Sequence, residues 1–127
     1  MEDYRRAIQI LPTYGEAYSD LVNLYIAGGE WGAAMEACRE ARKVIPGSSV
    51  PLFLQGNVYL NQKEFDHATE MYTDAVTRSP GYVDAFLNRA LAYKGKGDFA
   101  KAVADCERAI GISPHYGTAY YIRALVW

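Results

Sequence analysis

The sequence predicts an all-α solenoid of antiparallel helix pairs. Three observations carry that prediction: a 34-residue beat, apolar stripes at helical spacing within each beat, and helix-stopping residues at fixed places. Pro12, Pro46, Pro80 and Pro114 stand 34 residues apart. Tyr25, Tyr59, Tyr93 and Trp127 keep the same interval, as do Tyr18, Leu52, Phe86 and Tyr120. Trp31, Phe65 and Phe99 form a further column, and alanines recur at Ala34, Ala68 and Ala102 and at Ala7, Ala41, Ala75 and Ala109. Chance does not put so many columns in register. Pro51, outside the proline column, falls where a helix begins and is tolerated there.

The elements follow in order along one predicted domain, 1–127. Residues 1–14 match only the second helix of a unit. Residues 15–48, 49–82 and 83–116 are full units, and 117–127 match only a first helix. The third unit shows the pattern most clearly. Phe86, Ala90 and Tyr93 share a helix face, with Leu87 and Leu91 on a neighbouring one. Gly97-Asp98 then interrupts. Glycine suits a left-handed helix end, and an acidic residue suits the start of the next helix. Phe99, Ala102, Val103, Cys106, Ala109 and Ile110 carry a second apolar stripe as far as Ser113-Pro114. Each period therefore holds two helices of about 14 residues. Ala102 and Ala109 let them approach closely, and Phe99 is expected to fill the remaining space with Phe86. Arg89 and Arg123 are expected to pair with carboxylates such as Asp74 or Asp105.

Terminal units of a solenoid normally carry a polar outer face. Here Tyr120, Tyr121, Ile122, Leu125, Val126 and Trp127 close the sequence with apolar side chains. A longer repeat protein would cover them. So would head-to-tail contact between chains through the two complementary half-units, which would propagate as an open filament.

Composition narrows the function. Half the residues are hydrophobic and the formal net charge is −2, with both signs mixed along the chain. A nucleic-acid binder gathers a basic excess on one face, so no nucleic acid is expected. No run approaches the roughly 18 apolar residues of a membrane span. Met1-Glu2-Asp3-Tyr4-Arg5-Arg6 lacks the basic-then-apolar order of a secretory signal. Two cysteines are too few for a disulfide framework, and a cytoplasmic, reducing compartment is the default expectation.

The repeat resembles the tetratricopeptide family, whose 34-residue helix–turn–helix carries an aromatic, Leu-Gly, Tyr, Ala, Phe and Pro at fixed places. The first unit offers Tyr18, Leu21-Val22, Tyr25, Ala34, Cys38 and Pro46. The second offers Leu52, Gln55-Gly56, Tyr59, Ala68, Tyr72 and Pro80, and the third Phe86, Arg89-Ala90, Tyr93, Ala102, Cys106 and Pro114. Val22 departs from the usual Gly, and Gln55, Arg89 and Arg123 from the usual Leu; these bear on local packing.

The resemblance implies a right-handed superhelix whose first helices line a concave groove that receives a partner's segment. On this sequence the groove would comprise Ser19, Asn23 and Ile26, then Phe53, Leu54, Asn57 and Leu60, then Leu87, Asn88 and Leu91, and finally Tyr121. Asn23 and Asn57, 34 residues apart, are expected to stack as a ladder whose amides grip a backbone whatever its sequence. One subclass of the family holds acidic chaperone tails with a clamp of Lys, Asn, Asn, Lys and Arg. The matching places read Ser19, Asn23, Leu54, Asp84 and Asn88, where only Asn23 fits and Asp84 would repel a carboxylate. The chain is not expected to belong to that subclass.

Catalytic machinery is not legible. His67 and His115 have no cysteine or carboxylate at metal-ligand spacing, so no metal, cofactor or catalytic residue is expected. Cys38 and Cys106 lie two units apart, too far for a disulfide, at places that Tyr4 and Tyr72 occupy elsewhere; they read as core. Gly28-Gly29 and Gly95-Lys96-Gly97 sit at helix–helix turns rather than between strand and helix, which removes the phosphate-loop reading. The expected role is a non-catalytic scaffold or adaptor for a protein or peptide segment. Two alternatives stand beside it: a regulatory or targeting segment of a larger enzyme, and an RNA-binding helical array, which the charge balance and period disfavour.

Overall fold

A computed structural model of the chain describes residues 15–127. Among them are seven helices and no strand: α1 Gly15–Ala27, α2 Trp31–Val44, α3 Val50–Asn61, α4 Phe65–Arg78, α5 Val83–Lys96, α6 Phe99–Ile112 and α7 Gly117–Val126. The three expected pairs are α1/α2, α3/α4 and α5/α6, and α7 is a lone first helix. The expectation for 1–14 lies outside the described residues.

The turns inside the pairs repeat one device. Gly29, Lys63 and Gly97, each 34 residues from the next, take left-handed conformations with φ of 71°, 62° and 83°. One residue later an amide reaches back five residues: Glu30 to Tyr25, Glu64 to Tyr59 and Asp98 to Tyr93, each at 2.9 Å. That 6→1 bond closes the first helix and frees the chain to reverse. The next helix starts at the same residue, but only Asp98 caps it with its side chain, accepting the Lys101 amide at 3.3 Å. Glu30 and Glu64 make no such bond.

The interior is built from the repeating columns. Ala34, Ala68, Ala102, Ala41, Ala75 and Ala109 are completely buried, as are Cys38, Tyr72 and Cys106. Across each pair the partner's size varies inversely: Val22 and Ala90 in the first helices face the register of Cys38 and Cys106, whereas Gly56 faces Tyr72. A Cβ on Gly56 would come within 2.5 Å of the Tyr72 ring, so glycine is required there. Gly95 is required for another reason, because its Cα lies directly against the ring of Phe65 in the preceding unit.

Phe99 departs from expectation. It stands in the column of Trp31 and Phe65 but is 53% exposed and does not fill the core with Phe86. Phe65 is covered by the last turn of the following first helix. The corresponding helix, α7, ends at Val126, a turn short of covering Phe99.

The direction of curvature follows from which helices meet. First helices touch in series, α1 to α3, α3 to α5 and α5 to α7, while second helices touch only first helices and never each other. Elements close together on one side and held apart on the other make a concave first-helix face, the right-handed arrangement that such stacks adopt.

Candidate partner-binding groove

The concave face is organised around one side chain, Asn57 of α3. Its Oδ1 accepts two hydrogen bonds, from the Tyr72 hydroxyl at 2.6 Å and from Asn88 Nδ2 at 2.9 Å. Tyr72 belongs to α4, behind the groove. Its ring passes the bare Cα of Gly56, and only the hydroxyl emerges on the concave side. Burial, outweighing the amide of Asn88 beside it, pushes that hydroxyl far above its ordinary pKa, so it stays a donor. Both acceptor sites of Asn57 are thus taken, which fixes its amide and leaves Nδ2 as its outward group. On Asn88 the leftover group is the acceptor, Oδ1.

Aromatic rings flank this pair. Phe53 lies 5.9 Å from Tyr72 and 5.0 Å from Tyr82, centroid to centroid, within the range where tilted rings attract. Tyr82 immediately precedes α5; burial, and then the charge of Asp84, raise its hydroxyl to about 12. Asp84 accepts the Tyr116 hydroxyl at 2.8 Å, which ties the α6–α7 connection to α5. Ile26, Leu60 and Leu91 are half-buried against the core.

The other expected groove residues divide. Asn23 is exposed and Tyr121 is 65% exposed, both open to solvent. Ser19 is half-buried with its hydroxyl donated to the Gly15 carbonyl at 3.0 Å. Leu54 and Leu87 are corrections, because both are sealed in the core. Leu54 closes over the first pair's apolar cluster, and Leu87 is enclosed by α5, α6 and α7. The expected Asn23–Asn57 ladder is also absent. Asn57 instead meets Asn88, 31 residues on in the neighbouring first helix. Tyr72 and Tyr82 were missed altogether, although the Gly56/Tyr72 coincidence in the sequence marked a ring that must reach past a glycine.

On the convex side Arg89 makes the expected pair, holding Asp105 through Nε at 2.9 Å and Nη2 at 2.7 Å. Nη1 reaches Thr73 at 3.1 Å, and the guanidinium lies over the rings of Phe86 and Tyr93. Arg123, in the same place one unit on, lies instead over Tyr120 at 5.3 Å. Among the described residues no group of three His, Cys, Asp or Glu side chains is placed to hold a metal. No helix there is long and apolar enough to cross a membrane. Both thiols are buried and unpaired, and burial raises Cys38 to about 12 and Cys106 to about 11.

Paired helices stacked in register around a first-helix groove define an α-helical repeat protein. Family models for the tetratricopeptide repeat match residues 51–82 and 83–116, together more than half the sequence, and the chain belongs to that family. It is 33% identical over 85 residues to the heat-shock protein cognate (HSC) co-chaperone sgt12 of Aspergillus fumigatus, covering 64% of this chain and 25% of that protein. It is 34% identical over 70 residues to serine/threonine-protein phosphatase 5 of Mus musculus, covering 55% and 14%. The chain spans a quarter or less of the length of these relatives. Among solved structures, the first TPR domain of human RPAP3 superimposes with a TM-score of 0.81 at 20% identity, over 91% of each chain. The first TPR of Spaghetti (RPAP3) bound to the HSP90 peptide SRMEEVD gives 0.79 at 20% identity, over 88% of this chain and 91% of that one. At such identities the likeness is one of fold.

Proposed function

We propose that this chain is a non-catalytic scaffold or adaptor whose first-helix groove holds a segment of another protein. The observation that carries the reading is the Asn57–Asn88 pair, fixed from behind by Tyr72, with one donor and one acceptor left over. Half-buried Phe53, Leu60 and Leu91 lie on the same helices. An amide pair of this kind recognises main chain, and the apolar side chains select what projects from it. Relatives that include a co-chaperone, and a structural neighbour that holds a peptide, support the same reading.

The chemistry of the bound segment follows from what the groove lacks. The clamp places hold Asp84, with its negative charge, and Leu54, sealed in the core. A neutral, partly apolar segment fits this surface better than an acidic tail. The test is selection of binders from a random peptide library, followed by titration against the parent chain and against Asn88→Ala/Leu91→Ala. Selected peptides should be largely uncharged, and the double variant should bind them at least tenfold more weakly, about 1.4 kcal/mol. Equal binding by both would move the function away from this face. In a parallel titration the peptide SRMEEVD should bind no better than its scrambled form. Saturable, sequence-specific binding would overturn the exclusion of acidic tails.

A second reading, a regulatory segment within a larger enzyme, is favoured by the similarity to phosphatase 5. The groove would then hold a segment of that enzyme's own chain.

A further inference from the structure

The line of rings that begins behind Asn57 leads to an unpaired acid. Tyr72 stands 5.9 Å from Phe53, Phe53 stands 5.0 Å from Tyr82, and the charge of Asp84 reaches the Tyr82 hydroxyl. Asp84 is exposed, one turn before Asn88 on the same face of α5, and Leu91 follows on the next turn. Its Oδ1 accepts the Tyr116 hydroxyl at 2.8 Å, and no cation among the described residues pairs with it. Elsewhere in the same unit Asp105 holds Arg89 at 2.7 Å and Asp98 lies 3.7 Å from Lys101.

The arrangement is particular to this step of the stack. Tyr116 stands 32 residues after Asp84. The same step from α3 sets Val50 opposite Tyr82, and from α1 it sets Glu16 opposite Ser48. Among the described units, α5 alone brings an acid and a tyrosine together beside a further ring.

These groups specify a ligand. Tyr116 occupies one carboxylate oxygen and fixes its direction, which leaves the other to a donor, and a charged donor bonds most strongly. The rings beside it suit the carbon stem of a long cationic side chain. We propose, on the reading of the groove given above, that the bound segment sets one lysine or arginine side chain on Asp84. The rest of the segment is neutral, with its main chain at Asn88 and an apolar residue at Leu91. The basic residue thus falls on the opposite side of the main-chain contact from the apolar one. Because Asp84 is exposed, the pair selects among segments more than it tightens their binding.

Two selections from one random peptide library test this, against the parent chain and against Asp84→Lys. Parent-selected peptides should share a lysine or arginine at a fixed spacing from an apolar residue. Those taken by Asp84→Lys should lose it and carry Asp or Glu in its place. One parent-selected peptide is then titrated at low salt. Asp84→Asn, which keeps an acceptor for Tyr116, should bind it about threefold to fivefold more weakly, and added salt should narrow the gap. Replacing the peptide's basic residue by glutamine should cost the parent the same factor and leave Asp84→Asn unaffected. Circular dichroism matching the parent ensures that each variant is folded. A parent-selected pool with no basic position, or equal binding by Asp84→Asn, would overturn the proposal even where Asn88→Ala/Leu91→Ala has lost the peptide. Equal binding by that double variant, or no binder at all, would instead remove the groove reading, and this pairing with it.

Discussion

The third pair and α7 carry the same residue types in the same places yet live in different surroundings. Phe86 is buried and Tyr120 is not; Arg89 is locked to Asp105 and Arg123 lies over a ring at the edge. Phe65 and Phe99 repeat the contrast in the second helices. In a solenoid a position does not own its burial. The next element in the stack confers it, so identical residues have unequal energetic roles.

Substitutions can break this comparison, and the largest effect is expected at the arginines. Arg89→Ala would strand a buried Asp105 carboxylate and should cost about 3–5 kcal/mol in urea unfolding, whereas Arg123→Ala in dilute solution should cost within about 0.5 kcal/mol. Equal losses would mean that α7 is as well enclosed as α5. Next come the phenylalanines, where Phe65→Ala should cost about 3 kcal/mol and Phe99→Ala under about 1 kcal/mol. Gly56→Ala should cost about 1–3 kcal/mol, because the Tyr72 ring has nowhere to go. It should also loosen the hydroxyl on Asn57, which links core packing to groove geometry. Lys63→Gly sharpens the picture in the other direction. The left-handed turn penalises any Cβ, so stability should rise by about 0.5–1 kcal/mol, with no gain available at Gly29 or Gly97.

A separate effect, on no scale with the substitutions, is read by pH. Cys38, Cys106 and Tyr82 all have pKa values raised in the folded state, so the folded chain holds more protons than the unfolded one in alkaline solution. Stability is then complete below about pH 8.5, the ordinary thiol value, and should fall as pH rises from there towards 12. A flat unfolding midpoint between pH 8 and 10.5 would contradict the burial of the thiols. At pH 8 neither thiol should react with a disulfide reagent until the chain unfolds.

Helix positions were legible because alanine and aromatic columns, glycine stops and prolines all point to one period. Agreement between levels of this kind makes a fold readable. The groove was less so. Residues 34 apart look like neighbours in the sequence, but where α3 meets α5 the bonded residues, Asn57 and Asn88, are 31 apart. Asn57 thus takes Asn88 as its partner and not Asn23. Leu54 and Leu87 were misassigned for a related reason: an apolar residue beside the groove does not announce whether the neighbouring helix closes over it. Phe99 was misread because its cover lies in another unit. The Arg89–Asp105 pair was half legible: the sequence left Asp74 or Asp105 open, and the structure selects Asp105 for Arg89 while Arg123 lies over Tyr120.

With both lone pairs of Asn57 occupied, turning its amide over would require Tyr72 and Asn88 to turn with it, so the groove holds one polarity. It presents an N–H at α3 and a carbonyl oxygen at α5. A main chain has donors and acceptors in a fixed order from one end to the other. A segment laid across this pair would have to offer an acceptor to α3 and a donor to α5, an order that an extended chain supplies in either direction with a shift of register. The tyrosine behind the glycine thus decides which polar group each helix turns outward.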